Sequence, residues 1–186
     1  MKKFCFVLLG ISIFTLTFFL VPDTTTIHAQ IQEPPKPGPE QKKLEVMVGE
    51  WSYEGAEVDT PLGKKGNFSG KTIARMVANG FVLEQRAAEK SGEWLDLLWY
   101  DSLTKSYIFQ SFDPSGSVSS GTVTVNGNTW IATGVRVDTK GQRVHVKSTQ
   151  TLSPEGKTNT SKQEYSLDEG KTWLTWWNLT SKKSGK

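Results

Sequence analysis

From Trp51 to Thr180 the chain breaks into short segments whose apolar residues recur with period two, separated by linkers too short to hold a helix. The segments are Trp51–Val58, Asn67–Val77, Phe81–Glu89, Trp94–Tyr100, Ser106–Phe112, Ser117–Val125, Thr129–Val137, Gln142–Leu152, Thr158–Leu167 and Thr172–Thr180. The linkers, "ANG", "DPSG", "NGN", "DTKG" and "SPEG" among them, carry the Gly, Asn, Asp and Pro that tight hairpins demand. Parallel pairing needs a crossover of about a dozen residues or more, so each segment must pair antiparallel with the next. A meander this long hides its edges by closing on itself. The expected fold is all-β: a single up-and-down antiparallel β-barrel of about ten strands.

The stretch before the first strand, "PEQKKLEVMVGEW", has a different period. Pro39 suits the first turn of a helix, Leu44, Met47 and Val48 fall on one helical face, and Gly49 stops the run. A short plug helix is expected from about Glu40 to Met47. Upstream, "QIQEPPKPGPE" reads as an extended, solvated linker. The opening "MKKFCFVLLGISIFTLTFFLVP" has the basic start and apolar run of a secretory signal, with a small-residue cut site after Ala29. An uncleaved membrane anchor is the alternative, because Phe4–Val21 is just long enough to span. The expected organisation is a signal peptide at 1–29, a Pro-rich linker at 30–39, a barrel domain at 40–182 and a tail at 183–186. The product is then secreted or periplasmic, with no membrane contact once the signal is removed.

Several chemistries are excluded. Cys5 is the one cysteine and leaves with the signal, so the mature chain has no disulfide, no thiolate nucleophile and no Cys-based metal site. The formal charge of +3 is small and both signs are interspersed, so nucleic acid is not an implied partner. His145 is the one histidine after the signal, and no Gly-x-Ser-x-Gly elbow or paired-histidine spacing accompanies it. No catalytic residue and no metal ligand is assigned. A haem would need an axial ligand, but alternation places His145 with Arg143 and Lys147, away from Val144 and Val146, as a surface histidine. The cofactor question stays open. Glu84, Asp96 and Glu164 are the carboxylates that glycoside hydrolysis would have to draw together; solvated outer-face charges explain them as well.

Two motifs carry resemblances. "SLDEGKTW", Ser166 to Trp173, resembles the Asp-box of sialidases and related propellers. Asp168 can accept from the turn's N–H groups, Gly170 can take positive φ and Trp173 can pack beneath, so each specified residue has a structural task. The box occurs once, in a chain too short for a six-bladed propeller, and marks a hairpin. "VGEWSYEG" resembles the N-terminal signature of lipocalins and their calycin relatives. There Gly49 would end the plug helix, Trp51 would pack over it, and Lys182 or Lys183 would take the place of the basic residue that covers the tryptophan. Over nearly the whole mature chain, "LEVMVGEW", "NGFVLEQR", "LLWYDSLTKSYIFQSFDPSG" and "YSLDEGKTWLTWWNLT" resemble a family of exported bacterial proteins of unknown function. Tyr100, Asp101, Tyr107, Gly170, Lys171, Thr172 and Trp173 carry the likeness. It implies a lipocalin-like barrel and no particular activity.

Alternation suggests the inner faces. Leu95, Leu97 and Trp99 share one side of their strand, and Ile131, Val135 and Val137 one side of theirs, opposite Trp130 and Arg136. Trp176 and Trp177 are adjacent and are expected to face opposite ways. The ninth segment, "TNTSKQEYSL", is polar on both faces apart from Tyr165 and Leu167. It either lines a wet cavity or lies exposed at a gap in the barrel. The functional expectation is a non-catalytic barrel that binds or carries a small, largely apolar molecule. Its apolar lining would be Leu97, Trp99, Tyr107 and Trp177, with Gln85 and Tyr165 as polar contacts. The alternatives are a carbohydrate-binding module that displays tryptophans on a sandwich and a filled barrel that binds a protein partner. The oligomeric state stays open.

Overall fold

The computed structural model describes residues 33–184; the expected signal peptide, with Cys5, lies outside them. Ten strands follow a short helix: β1 Gly49–Glu57, β2 Gly66–Val77, β3 Val82–Glu89, β4 Gly92–Asp101, β5 Ser106–Phe112, β6 Val118–Asn126, β7 Thr129–Val137, β8 Arg143–Leu152, β9 Thr158–Ser166 and β10 Leu174–Lys183. Each pairs antiparallel with the next, and β10 returns to β1, closing the barrel. The expected fold class holds.

The helix forms as its sequence dictates. α1, Pro39–Lys43, starts on the proline, and Gln41 accepts a hydrogen bond from the Gly38 N–H at 3.0 Å. At Leu44–Met47 the chain tightens into a 3₁₀ turn rather than continuing as α-helix. The upstream proline segment is not wholly solvated: Pro37 lies so close over Gly80 that a Cβ there would meet its Cγ at 2.8 Å.

Leu44 and Met47 are buried and plug one end of the barrel, in one cluster with Trp51, Leu83, Tyr107 and Trp130. The Trp51 indole N–H donates to the Met47 carbonyl at 2.8 Å. Lys183 lies over that indole ring, its Nζ 5.0 Å from the ring centroid, and donates to the Val46 carbonyl at 3.1 Å. Gly49, with φ +135°, admits this arrangement: the Lys183 stem would stand 3.4 Å from any Cβ placed there. Lys183 therefore belongs to β10 and the plug, not to a tail. Tyr107 secures the helix from the opposite wall, donating to the Glu40 carboxylate at 2.6 Å and lying edge-on to Tyr100 and Trp130.

On β6 and β7, Gly121 pairs with Gly134. A Cβ on Gly121 would press into the Thr133 carbonyl oxygen and stand 2.5 Å from the Gly134 Cα, both backbone atoms that cannot swing aside. Gly121→Ala is expected to lower the unfolding free energy by about 1–3 kcal/mol, as overpacking does. Urea denaturation measures it, and an unshifted midpoint would show that this seam can open at no cost.

Candidate functional site

The plug cluster fixes which face of each strand is internal. Trp51, Ala74, Leu83, Leu98, Tyr107, Val123, Trp130 and Leu152 pack together around the helix. Side chains alternate along a strand, and directly paired residues share a face. Carried along the register, that parity turns Thr72, Gln85, Asp96, Ser111, Ser148 and Gln163 toward the barrel axis. They lie in the middle of the barrel and are only half-buried. β9 is hydrogen-bonded to β8 on one side and β10 on the other, so no gap admits solvent from the flank. Inward-facing residues that keep accessible surface within a closed wall make the barrel compatible with a ligand in its interior. On the ninth strand Asn159, Ser161, Gln163 and Tyr165 face inward; Asn159 and Tyr165 are buried, while Ser161 and Gln163 keep part of their surface accessible.

Beyond this belt, at the end away from the helix, aromatic and charged groups gather. Phe68 lies edge-on to Tyr53 and to Trp177, with centroids 6.3 and 6.1 Å apart. Gly70 leaves room on β2 for the Tyr53 ring, whose hydroxyl crosses that strand to donate to Glu89 on β3 at 2.7 Å. Tyr165 and Trp176 close the opposite wall with Val144, Val146 and Leu62. Beside them Arg136 pairs with Asp113 at 2.7 Å. Desolvation pushes the Asp96 carboxyl up to about 6, partly offset by a hydrogen bond from Ser111. Desolvation, and then the charge of Glu89, raises Glu57 as well. Burial and the hydrogen bond to Glu89 push the Tyr53 phenol up.

The expected site residues divide three ways. Tyr165, Trp177 and Gln85 face the interior; the Gln85 amide also approaches the Met47 sulfur at 3.6 Å. Tyr107 is internal too, but its hydroxyl and ring are spent on the plug. Leu97 and Trp99 are a correction. Leu98, Tyr100 and Asp96 take the inner face of β4, so Leu95, Leu97 and Trp99 lie on the outer one. Ile131, Val135 and Val137 are external for the same reason, while Trp130 and Arg136 point in. Trp176 and Trp177 also depart from expectation. A bulge between Thr175 and Trp177 lets Trp176 reach Tyr165 while Trp177 reaches Phe68. Asp96, Glu57, Glu89, Tyr53 and Phe68 were missed by the apolar-in rule. The short run "SYEGAE" on β1, with Tyr53 and Glu57 on one parity and glycine between, was the available signal.

The remaining motifs resolve simply. In the 166–173 hairpin, Asp168 accepts from the Thr172 hydroxyl at 2.6 Å, the Ser166 hydroxyl at 2.7 Å and the Thr172 N–H at 2.9 Å, which hold its carboxyl well below the usual range. Gly170 takes φ +86° and Trp173 lies beneath it, with the Lys147 ammonium 4.5 Å from the ring centroid. The Asp-box is a turn. His145 pairs with Val135 on the outer face. Glu84 and Glu164 also lie outside, bound to Arg75 and to Lys147, so they do not converge with Asp96. Among the described residues no group of His, Cys, Asp and Glu is placed to hold a metal ion.

Two clefts open at the plugged end of the barrel, beside the helix. The larger, about 590 Å³, is lined by Glu40, Lys43, Tyr100, Lys105 and Tyr107 among others. Three of its polar groups engage one another: Glu40 holds Lys43 at 2.8 Å and accepts from Tyr107.

No family model matches the chain, and no curated protein matches it. Among solved structures it is similar to Rv2717c from M. tuberculosis, with a TM-score of 0.57 over 80% of this chain and 99% of that one, at 12% identity. The likeness is one of fold. A protein of unknown function from the DUF3598 family of Nostoc punctiforme also aligns, over 80% of this chain and all of that one at 8% identity. Its TM-score of 0.26 carries no weight.

Asp96 yields a pH-dependent prediction. Its folded pKa of about 6 lies above the ordinary 3.8, so the native state holds the proton more tightly and stability falls as pH rises from about 4 through 6. Asp96→Asn removes that cost. The variant is expected to be more stable than the wild type by about 1–2 kcal/mol at pH 8 and equal to it near pH 4. Thermal unfolding across that range checks it; an Asn variant that melts lower at pH 8 would contradict the burial assigned to this carboxylate.

Proposed function

We propose that this protein is an exported, non-catalytic barrel that binds or carries a small, largely apolar molecule in its interior. One observation supports the reading: inward-facing residues midway along a fully closed wall retain accessible surface, as they would around a hollow above the plug. Phe109, Leu179, Val146 and Trp177 supply apolar wall, and Gln85, Ser148 and Gln163 supply a few polar contacts, the usual mixture in a ligand pocket. Export rests on the N-terminal signal pattern. The outer face supports a barrel surrounded by water, with Arg75, Glu84 and Arg86 in one ion-pair cluster and Lys147, Glu164 and Lys162 in another. The resemblance to lipocalins agrees with the Gly49, Trp51 and Lys183 arrangement. A sugar platform finds less support, since none of the tryptophans is among the exposed large hydrophobic residues.

The test places a bulky residue in the hollow. The neutral dye Nile red is expected to bind one per barrel, brighten and quench tryptophan fluorescence. Ser148→Phe, on the inner face, is expected to weaken it by about tenfold or more, the effect of losing a few apolar contacts. Thr149→Phe, one residue along and facing out, is expected to leave binding unchanged. Equal effects from both variants, or quenching by oligosaccharides alone, would discard the cavity.

A further inference from the structure

Resting on that reading, we propose that the molecule the barrel takes is an amphiphile with a positively charged head, an amine or quaternary ammonium, seated between the β1–β4 wall and the aromatic rings beside it. The argument begins with the charges that face inward. By register, the ionisable Asp, Glu, Lys and Arg residues on the inner parity of the strands are Glu57, Glu89, Asp96, Arg136 and Lys183. Both cations are committed. Arg136 is held by Asp113 at 2.7 Å and by the Ser117 hydroxyl at 2.7 Å, across the barrel. Lys183 is at the plugged end, over Trp51 and bonded to the Val46 carbonyl.

The three carboxylates instead share one sector, on β1, β3 and β4. Their partners in the described structure are neutral: the Tyr53 and Ser91 hydroxyls for Glu89 and the Ser111 hydroxyl for Asp96. No lysine or arginine contributes to the raised pKa of Glu57 or Asp96; desolvation is the leading cause for both. A folded domain rarely gathers carboxylates on one inner wall without an opposite charge to meet them.

The rings in the same sector supply the second line of argument. Tyr53, Phe68 and Trp177 form a continuous edge-on series along β1, β2 and β10, and Trp94 lies on the inner parity of β4 next to Asp96. Aromatic faces backed by carboxylates attract organic cations and discriminate against anions. The Trp94 indole N–H is buried without an acceptor in the protein. Each such donor costs free energy unless something completes it, and an oxygen beside the charged head of a ligand would do so. Toward the plug the lining turns apolar at Leu179 and Phe109, and across the barrel at Val146, which suits the tail.

The experiment uses three ten-carbon probes below their micelle concentrations at pH 7.5: decyltrimethylammonium, 1-decanol and decanoate. Tryptophan fluorescence and calorimetry read their affinities for the wild type and for Glu89→Gln/Asp96→Asn. The cation is expected to bind about tenfold tighter than the alcohol, with decanoate weakest. In the double variant its advantage is expected to shrink to threefold or less while alcohol affinity stays unchanged. Circular dichroism and melting curves confirm that the variant is folded. Decanoate or decanol binding as tightly as the cation would overturn the charge assignment and leave the cavity reading standing. Binding of none of the three would overturn both. A double variant that weakens all probes alike would show that the carboxylates shape the wall rather than recognise charge, and would overturn the proposal.

Discussion

Trp51 pairs with Lys183, and Glu57 pairs with Trp177, so the first strand is tied to the last along its whole length. That seam is what turns a meander into a container. With β10 bonded to β1, no strand edge is left to recruit another chain, and backbone donors and acceptors are satisfied around the full circumference. The ladder itself then supplies cohesion without requiring side chains to fill the centre. A sandwich of the same strands would lack that freedom, because its two sheets are held together by the side chains between them.

Stability and function are divided along the barrel axis. At the helix end the interior is packed: Leu44 and Met47 are buried, Trp51 is held by its N–H edge and covered by Lys183, and Tyr107 ties the helix to β5. Burial of this order, a few kcal/mol per large side chain, anchors the fold. The middle belt and the far end can therefore keep polar and charged groups that a small core would not tolerate. Lys183 shows how closely the two are joined. It closes the β1–β10 seam through its backbone and covers the plug tryptophan with its side chain, so the end of the last strand and the start of the first are organised by one residue.

How much of this was legible in the sequence varied with the strand. The ten segments, their hairpins and the plug were readable because turn residues and period-two alternation are local signals. The inner face of β8 was readable too, since Val144 and Val146 oppose Arg143, His145 and Lys147. On β4 the rule failed. That strand is apolar on both faces, and Leu95, Leu97 and Trp99 continue an outer apolar stripe through their neighbours Phe112 and Ile108 on β5. Only register against Leu83 and Tyr107, a tertiary fact, separates inside from outside. On β10 the bulge at Trp176 breaks alternation, and nothing in "TWW" announces a bulge. Asp96 was hidden by the same assumption: a carboxylate between leucines reads as the solvent side of an amphipathic strand, when here it is the inside.

That inversion bears on why the interior has the composition it does. If the hollow served only to hold an uncharged chain, leucine or valine at Asp96 would be cheaper, since the carboxylate gives up hydration and gains only a serine hydroxyl. Glu89, on the adjoining strand, is reached by a tyrosine that needs Gly70 opposite to make the approach. The fourth strand has thus accepted a less stable arrangement on its inner face, and Gly70 on the second strand makes room for the tyrosine that reaches the carboxylate beside it. Proteins concentrate such local costs where binding repays them. With the interior's own cations engaged elsewhere, a charge brought in from outside is the partner that would make this wall electrostatically complete.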